Sequence, residues 1–532
     1  MTDDTRQLLS GNEAVALGAL HAGVALGTAY PGTPSTEILE YLSSLGGRAQ
    51  WSPNEKVALE VGIGVAFAGA RALVTMKHVG VNVAADPLFT ATHTGVTGGL
   101  VLVSADDPGM WSSQNEQDNR NYAKAAGVPT FEPSDSQEAY DFLVEAMQLS
   151  EQWGLPVMLR MTTRVCHSRT VVRPRGPIEA PTPHFVRDIP GRVMLPGFAR
   201  PAHRRLRKKL AEIKDWNETS SFTRRIEGGQ TLGIIASGVA YIHAREAAPS
   251  ASFLKLGMSY PLPIEAMRAF AASVERCVVI EEGDAYLADA ARAAGIEVEA
   301  KEEMYRFGEL DVGRVRRILE RDVSPETPPP KGKPPELCAS CAHRAVFSVL
   351  SKLDCIVPGD IGCYTLGALE PYRALDSCVC MGASIGVGLG LRHALPPDEA
   401  RRVVSVIGDS TFVHSGITGL VDMVYNPPPT GHVVLILDNG TTAMTGLQEH
   451  PGTGRTIDHK PANRLDYEAL AKGIGIEQVH IVDPMADVKG FKELMTRCLA
   501  SGELVLVIAR RTCFLAAKKI EAWQHAAEQT HE

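Results

Sequence analysis

The chain predicts an α/β fold of parallel sheets with helices on both faces, and three observations carry that reading. Short apolar runs of strand length alternate with longer stretches of helical spacing, which implies parallel strands joined by helices. Several of those runs are continuously apolar, as strands are when both faces of their sheet are covered. Forty-nine glycines and Ala-rich runs suit helices lying close on a sheet. At 532 residues the chain exceeds what one core serves, so two or three domains are expected.

In chain order, residues 1–190 read as a first sheet domain. A helix is expected over 12–24, a short strand over 27–30 ending in the turn PGTPST, and a Gly/Ala-rich helix over 56–70. Strands follow over 72–76, 99–104 and 156–161. Residues 191–229 are a proline-rich then charged connector, whose basic cluster 204–209 reads as a solvated helix face. Residues 230–322 form a small α/β domain built on LGIIASG, AYIHAREAA and ERCVVIEEGD. SPETPPPKGKPPE, within 323–336, is a stiff linker. Residues 337–520 form a second sheet domain around RRVVSVIGDS and GHVVLILDNG, and 521–532 read as a polar, frayed tail.

The formal net charge of −9 argues against nucleic acid as a partner, because a phosphate backbone needs a basic footprint. No run of about 18 uncharged apolar residues appears, so no membrane span is expected. MTDDTRQLLSGNEA lacks a basic region followed by an apolar core, so it is no secretory signal, and a cytoplasmic setting follows. Ten cysteines in such a chain point to metal or cluster ligands plus buried thiols rather than disulfides.

The motif that carries chemistry is Gly408-Asp409-Ser410 after the strand VVSVI, with Asn439-Gly440-Thr441 after HVVLIL. Ligands of open α/β sheets sit outside the carboxyl ends of strands, where both segments lie. Asp409, the Asn439 amide and a main-chain carbonyl at Thr441 make an oxygen set suited to Mg²⁺ beside a phosphate. Gly408 allows close approach, and a helix starting near Thr411 offers its amides to the anion. A lone Gly-Asp pair is usually a plain turn; here both halves end apolar strands. The spacing resembles the motif of thiamine-diphosphate enzymes. MGASIGVGLG, with Gly382 and Ser384, is similar to the small-residue helix beside their cofactor, and Gly362 joins the cofactor-binding set. Thiamine chemistry also needs a carboxylate on the aminopyrimidine ring, and Glu55, opening a Gly/Ala-rich helix, is the candidate. Taken alone it reads as a solvated first-turn carboxylate. Glu60 is the fallback, and its plainer role is on a helix face.

YPGTPST, WSPNEKVALE, ADDPGMWSSQNEQDNR, GDIGCYTLG, CVCMGASIG and LDNGTTAMTGLQEHPGTG closely resemble the α subunit of indolepyruvate ferredoxin oxidoreductases, across nearly the whole chain. The resemblance implies a pyrimidine-binding domain, a diphosphate-binding domain and a small transketolase-C-like domain. It implies oxidative decarboxylation of an aryl pyruvate with coenzyme A to acyl-CoA, carbon dioxide and reduced ferredoxin, through a thiamine-bound enamine. A smaller β subunit, of γ type, would complete an α2β2 assembly. Thr33 would contact the 2-oxo acid, and Arg120 would pair with its carboxylate; a surface ion pair is the plain alternative for Arg120.

Alone, the C-x-x-C of Cys338 and Cys341 reads equally as zinc, a redox dithiol or a cluster. The resemblance implies that Cys338, Cys341, Cys363 and Cys513 hold one [4Fe–4S] cluster next to the thiamine. Cys378 and Cys380 are expected as buried free thiols, Cys166, Cys277, Cys355 and Cys498 as core residues, and His343 as structural. Two departures stand out. Where the family has Cys-Pro-Gly-Cys-Pro-His-Arg, this chain has Cys338-Ala-Ser-Cys341-Ala-His-Arg344. The sequence also carries none of the family's C-terminal ferredoxin-like C-x-x-C-x-x-C-x-x-x-C-P runs, which leaves the electron acceptor open. The alternatives are a non-oxidative thiamine-dependent 2-oxo acid decarboxylase and, in another class, a non-catalytic subunit stabilised by zinc.

Overall fold

A computed structural model of the chain describes residues 6–327 and 332–529. The chain forms two compact units, divided between Thr327 and Pro328. Residues 1–5 of the expected first domain, 328–331 of the linker and 530–532 of the tail lie outside the described residues.

The first unit is built on a seven-stranded sheet. Its spatial order is Met258–Tyr260, Thr130–Phe131, Val157–Thr162, Leu100–Asp106, Ala72–Lys77, Leu26–Ala29 and Ala49–Trp51. All neighbours are parallel except Met258–Tyr260, which runs antiparallel to Thr130–Phe131. Every residue of the three central strands is buried, the charged Lys77, Asp106 and Arg160 included, and the rest of their text is mostly apolar. Helices Gly11–His21 and Ser136–Trp153 cover one face, and Glu55–Phe67 and Ala85–Thr94 the other. Ser10 caps the first helix by accepting from the Glu13 N–H at 3.2 Å while Glu13 accepts from the Ser10 N–H at 2.7 Å.

A second sheet in the same unit runs Arg276–Ile280, Gly229–Ser237, Ala251–Leu256 and Thr223–Ile226, the last strand antiparallel. The helix Pro196–Asn217 precedes it and carries the basic cluster on its exposed side. The small α/β segment is therefore not self-contained: its strand Met258–Tyr260 leaves to edge the first sheet.

In the second unit, Val404–Gly408, His432–Asp438, Leu504–Arg510 and Gln478–Val482 form a parallel sheet in that order. Helices His343–Lys352 and Val488–Ser501 pack on one face, and Ala383–Ala394, Ile417–Tyr425 and Tyr467–Ile474 on the other. The expected tail is helical as far as it is described, within Phe514–Gln529. Among the described residues no helix is long and apolar enough to cross a membrane.

Candidate active site

The second unit brings the two halves of the diphosphate motif together. The strand Val404–Gly408 passes straight into helix at Asp409, two residues earlier than the expected start, and widens into a π turn over Phe412–Gly416. Asp409 is 2% exposed. Its Oδ1 accepts from the Ser410 N–H at 2.8 Å, and its Oδ2 accepts from the Gly440 N–H at 2.8 Å. His450 Nε2 stands 3.3 Å from the same Oδ2. Burial pushes the Asp409 carboxyl up, but His450 and these N–H donors outweigh it and hold the group below its ordinary value. Asn439 Oδ1 accepts from the Thr441 N–H at 3.0 Å, and the Thr442 hydroxyl donates to Ser410 Oγ at 2.9 Å. One buried anion, one amide oxygen and converging main-chain groups fit a magnesium diphosphate. Among the described residues no three His, Cys, Asp or Glu side chains are grouped closely enough to hold a metal ion, and this includes Cys338, Cys341, Cys363 and Cys513.

Gly408 has a reason to lack a side chain: a Cβ there would stand 2.7 Å from the Tyr364 ring. Gly382 precedes the helix Ala383–Ala394 at φ +83°, where a Cβ would also strike Ser415 Cβ at 2.6 Å. The Ser384 N–H donates to Asp360 Oδ2 at 3.4 Å, and the Tyr364 hydroxyl donates to Asp360 Oδ1. Burial raises the Asp360 carboxyl to about 6 against these donors. Gly362 opens the turn that follows, its N–H donating to Thr365 Oγ1 at 3.2 Å.

The four expected cluster cysteines, Cys338, Cys341, Cys363 and Cys513, line one cavity of about 90 Å³ with Leu337, Leu366, Phe514 and Asn439. Arg344 holds the C-x-x-C turn by donating from Nε to the Cys338 carbonyl at 2.7 Å. The Cys513 N–H donates to the Asn439 carbonyl at 2.9 Å. The cysteine cavity and the motif turn thus share Asn439. Burial first, then the neighbouring thiols, raises Cys363 to about 11. All ten cysteines are free thiols. Cys166, Cys277 and Cys498 are core residues and Cys355 is half-buried. Cys378 and Cys380 correct the expectation: both are exposed, because a two-residue ladder and a surface loop carry them toward the helix Ala383–Ala394. His343 is buried, and burial lowers it to about 4.

In the first unit, Glu55 begins the helix Glu55–Phe67, whose first turn is capped by Asn54 accepting from the Val57 N–H at 2.9 Å. Glu55 is 4% exposed, so it is not a solvated first-turn carboxylate. A Cβ on Gly80 would meet its Oε1 at 2.7 Å. Glu60 lies on the helix surface in an ion pair with Lys56. Thr33 is half-buried in the turn after Leu26–Ala29.

Arg120 departs from its expected role. It is 0% exposed, and its guanidinium donates to Asp118, to Glu281 Oε2 at 2.8 Å and to the Glu282 and Asp284 carbonyls at 2.8 and 3.3 Å. Arg160 shares the cluster, bound to Asp106 at 2.7 Å and Glu132 at 2.9 Å. A fork so filled has no place for a substrate carboxylate, and it is no surface pair either. The sequence reading assigned no role to Asp360, Tyr364 and His450, although all three lie inside strings that carried the resemblance, nor to Arg344, which ends the string that departs from the family.

Comparison with known proteins agrees with this architecture. The family model described as "Thiamine pyrophosphate enzyme, C-terminal TPP binding domain" matches residues 360–509. "Pyruvate flavodoxin/ferredoxin oxidoreductase, thiamine diP-bdg" matches residues 17–182. The indolepyruvate oxidoreductase subunit IorA of Archaeoglobus fulgidus is 41% identical, over 95% of this chain and 86% of its own. The protein of the same name from Pyrococcus abyssi is 38% identical, over 96% and 86%. A solved 2-oxoglutarate:ferredoxin oxidoreductase from Magnetococcus marinus, with 2-oxoglutarate, coenzyme A and succinyl-CoA bound, shares the fold at TM-score 0.52 and 18% identity. That match covers 60% of this chain and 65% of the other. With both thiamine-diphosphate domain models matched and relatives this similar over nearly its full length, the chain belongs to the IorA family of indolepyruvate oxidoreductase subunits, thiamine-diphosphate-dependent 2-oxo acid oxidoreductases.

Proposed function

We propose that the chain is the catalytic α subunit of an enzyme that converts an aryl pyruvate, an indolepyruvate-like 2-oxo acid, and coenzyme A into acyl-CoA, carbon dioxide and reduced ferredoxin. The observation that carries the redox part is the sharing of Asn439: it borders the cysteine cavity and sits in the turn tied to Asp409. An electron acceptor held by Cys338, Cys341, Cys363 and Cys513 would then adjoin the cofactor, as one-electron oxidation requires.

When bound, thiamine diphosphate would supply a carbon nucleophile and an electron sink for decarboxylation. Asp409, Asn439 and the main chain at Thr441 would hold Mg²⁺ and the diphosphate, with Ser410 beside them and Gly382, Ser384 and Gly362 lining the approach. Glu55 would hydrogen-bond the pyrimidine ring nitrogen from its buried place at a helix start. Thr33 would contact the 2-oxo acid. A smaller β subunit, of γ type, would complete an α2β2 assembly in the cytoplasm, with ferredoxin or another redox protein taking the electrons.

The test is anaerobic assay of the chain with its smaller subunit, offering indolepyruvate, phenylpyruvate, pyruvate and 2-oxoglutarate. CoA-dependent reduction of ferredoxin, fastest with an aryl pyruvate, and about four iron atoms per chain are expected. Iron loss in Cys363→Ala with thiamine retained would support the cluster assignment. Glu55→Gln should nearly abolish turnover while the cofactor still binds. Release of an aldehyde with no acceptor needed would point instead to a non-oxidative decarboxylase. Zinc in place of iron, with no thiamine bound, would point to a non-catalytic subunit.

A further inference from the structure

Lys77 is a buried cation with no ion-pair partner among the described residues. It ends the strand Ala72–Lys77 and is 9% exposed. Its stem lies against the bare α-carbon of Gly32, where an added Cβ would stand 3.1 Å from Lys77 Cβ. Its ammonium donates to the Ser112 carbonyl. Among the described residues no carboxylate comes within the 4.0 Å of an ion pair. The negative charge that favours its ammonium is Asp107, which already accepts from the Ser112 N–H at 2.9 Å, the Ser113 hydroxyl and the Thr163 hydroxyl at 2.9 Å.

The other deeply buried cations of this unit are better provided for. Arg120 and Arg160 sit among four carboxylates, and Lys255 pairs with Glu138. Lys301 donates to the Glu281 and Gly283 carbonyls at 2.8 and 2.7 Å, with Glu281, Glu282 and Asp118 close enough to favour its charge. An ammonium kept from water beside one carbonyl is costly, and a bound anion would offset that cost.

We propose that Lys77 binds the carboxylate of the 2-oxo acid. The inference rests on the reading of the chain as a 2-oxo acid oxidoreductase. Lys77 lies at the carboxyl edge of the parallel sheet, where ligands of such sheets bind. Gly32 and Thr33 follow the neighbouring strand at that edge, and Gly80, three residues after Lys77, packs on Glu55. Arg120, the cation expected from sequence for this task, is fully engaged elsewhere. Burial lowers the Lys77 ammonium to about 8, with Asp107 favouring its charge and His78 as the other titratable neighbour. Carboxylate binding should therefore weaken as pH rises through about 8.

The experiment uses the enzyme assembled with its smaller subunit, phenylpyruvate as probe, and the variants Lys77→Met and Lys77→Arg. Lys77→Met should raise KM for phenylpyruvate at least about ten-fold and leave KM for coenzyme A and the bound thiamine within about two-fold, with Lys77→Arg between. The alkaline fall of kcat/KM should vanish in Lys77→Met. Its Tm without substrate should hold or rise, because a buried unpaired charge has been removed. An unchanged KM overturns the proposal. So does a shift confined to coenzyme A, which would make a phosphate the anion, or a lowered Tm with kcat and KM impaired together, which would make Lys77 structural. If the wild-type enzyme oxidises no 2-oxo acid, the parent reading fails instead. Calorimetric titration of phenylpyruvate into the cofactor-free protein then still judges the lysine: binding at least about ten-fold weaker in Lys77→Met supports it, and equal binding overturns it.

Discussion

Gly440 donates its N–H to Asp409 Oδ2 at 2.8 Å, so the turns after two neighbouring parallel strands are joined by one carboxylate oxygen. The carboxylate is thereby held rigid before any ligand arrives. Asp409→Asn keeps an acceptor for Gly440 and removes the charge. It should weaken magnesium-dependent thiamine diphosphate binding at least about ten-fold while Tm moves little. Fluorescence titration with the cofactor checks this, and wild-type affinity in the variant would remove Asp409 from the site.

Arg120 is a structural cation on this geometry. Arg120→Met removes the guanidinium shared by Asp118 and Glu281, both buried, and should cost about 3–5 kcal/mol of unfolding free energy. Denaturant titration measures the loss. Whatever folded enzyme remains should show an unchanged KM for the 2-oxo acid. A normal stability with a KM raised at least about ten-fold would restore Arg120 to the substrate.

Asp360 gives the second unit a distinct pH response. Burial raises its carboxyl from 3.8 to about 6, so between these values the folded protein keeps a proton that the unfolded chain releases. Stability therefore falls as pH rises through that window and is level above it. About 1.4 kcal/mol per pH unit makes the loss roughly 3 kcal/mol. Asp360→Asn cannot ionise, so its stability relative to wild type should climb by up to that amount from pH 4 to about 6.5. A difference constant across the range would mean that Asp360 does not titrate there.

The parts legible in the sequence were those with dense, local signals. Val404–Gly408, His432–Asp438 and the three central strands of the first unit are buried on both faces, so their text is mostly apolar and their ends fall within a few residues of expectation. Ala49–Trp51, Thr130–Phe131 and Met258–Tyr260 were missed because two or three residues carry no period. Gln478–Val482, an edge strand with polar text, was missed for the same lack of signal. Asp409 and Asn439 were readable because strands deliver them. His450 and Asp360 act from loops, where a single polar residue looks like any other. Arg120 shows the limit most plainly: its partner Glu281 is 161 positions away, and no local pattern announces that pairing.

The three residues Met258–Tyr260 set how the polypeptide can be dissected. They close the backbone edge of Thr130–Phe131, pairing Met258 with Phe131 and Tyr260 with Thr130. A fragment stopped near residue 190 would leave that rim bare beside buried Phe131, an invitation to stick edge-to-edge with its neighbours. Expression of the amino-terminal half should therefore run to about residue 327, even when only its first sheet is wanted.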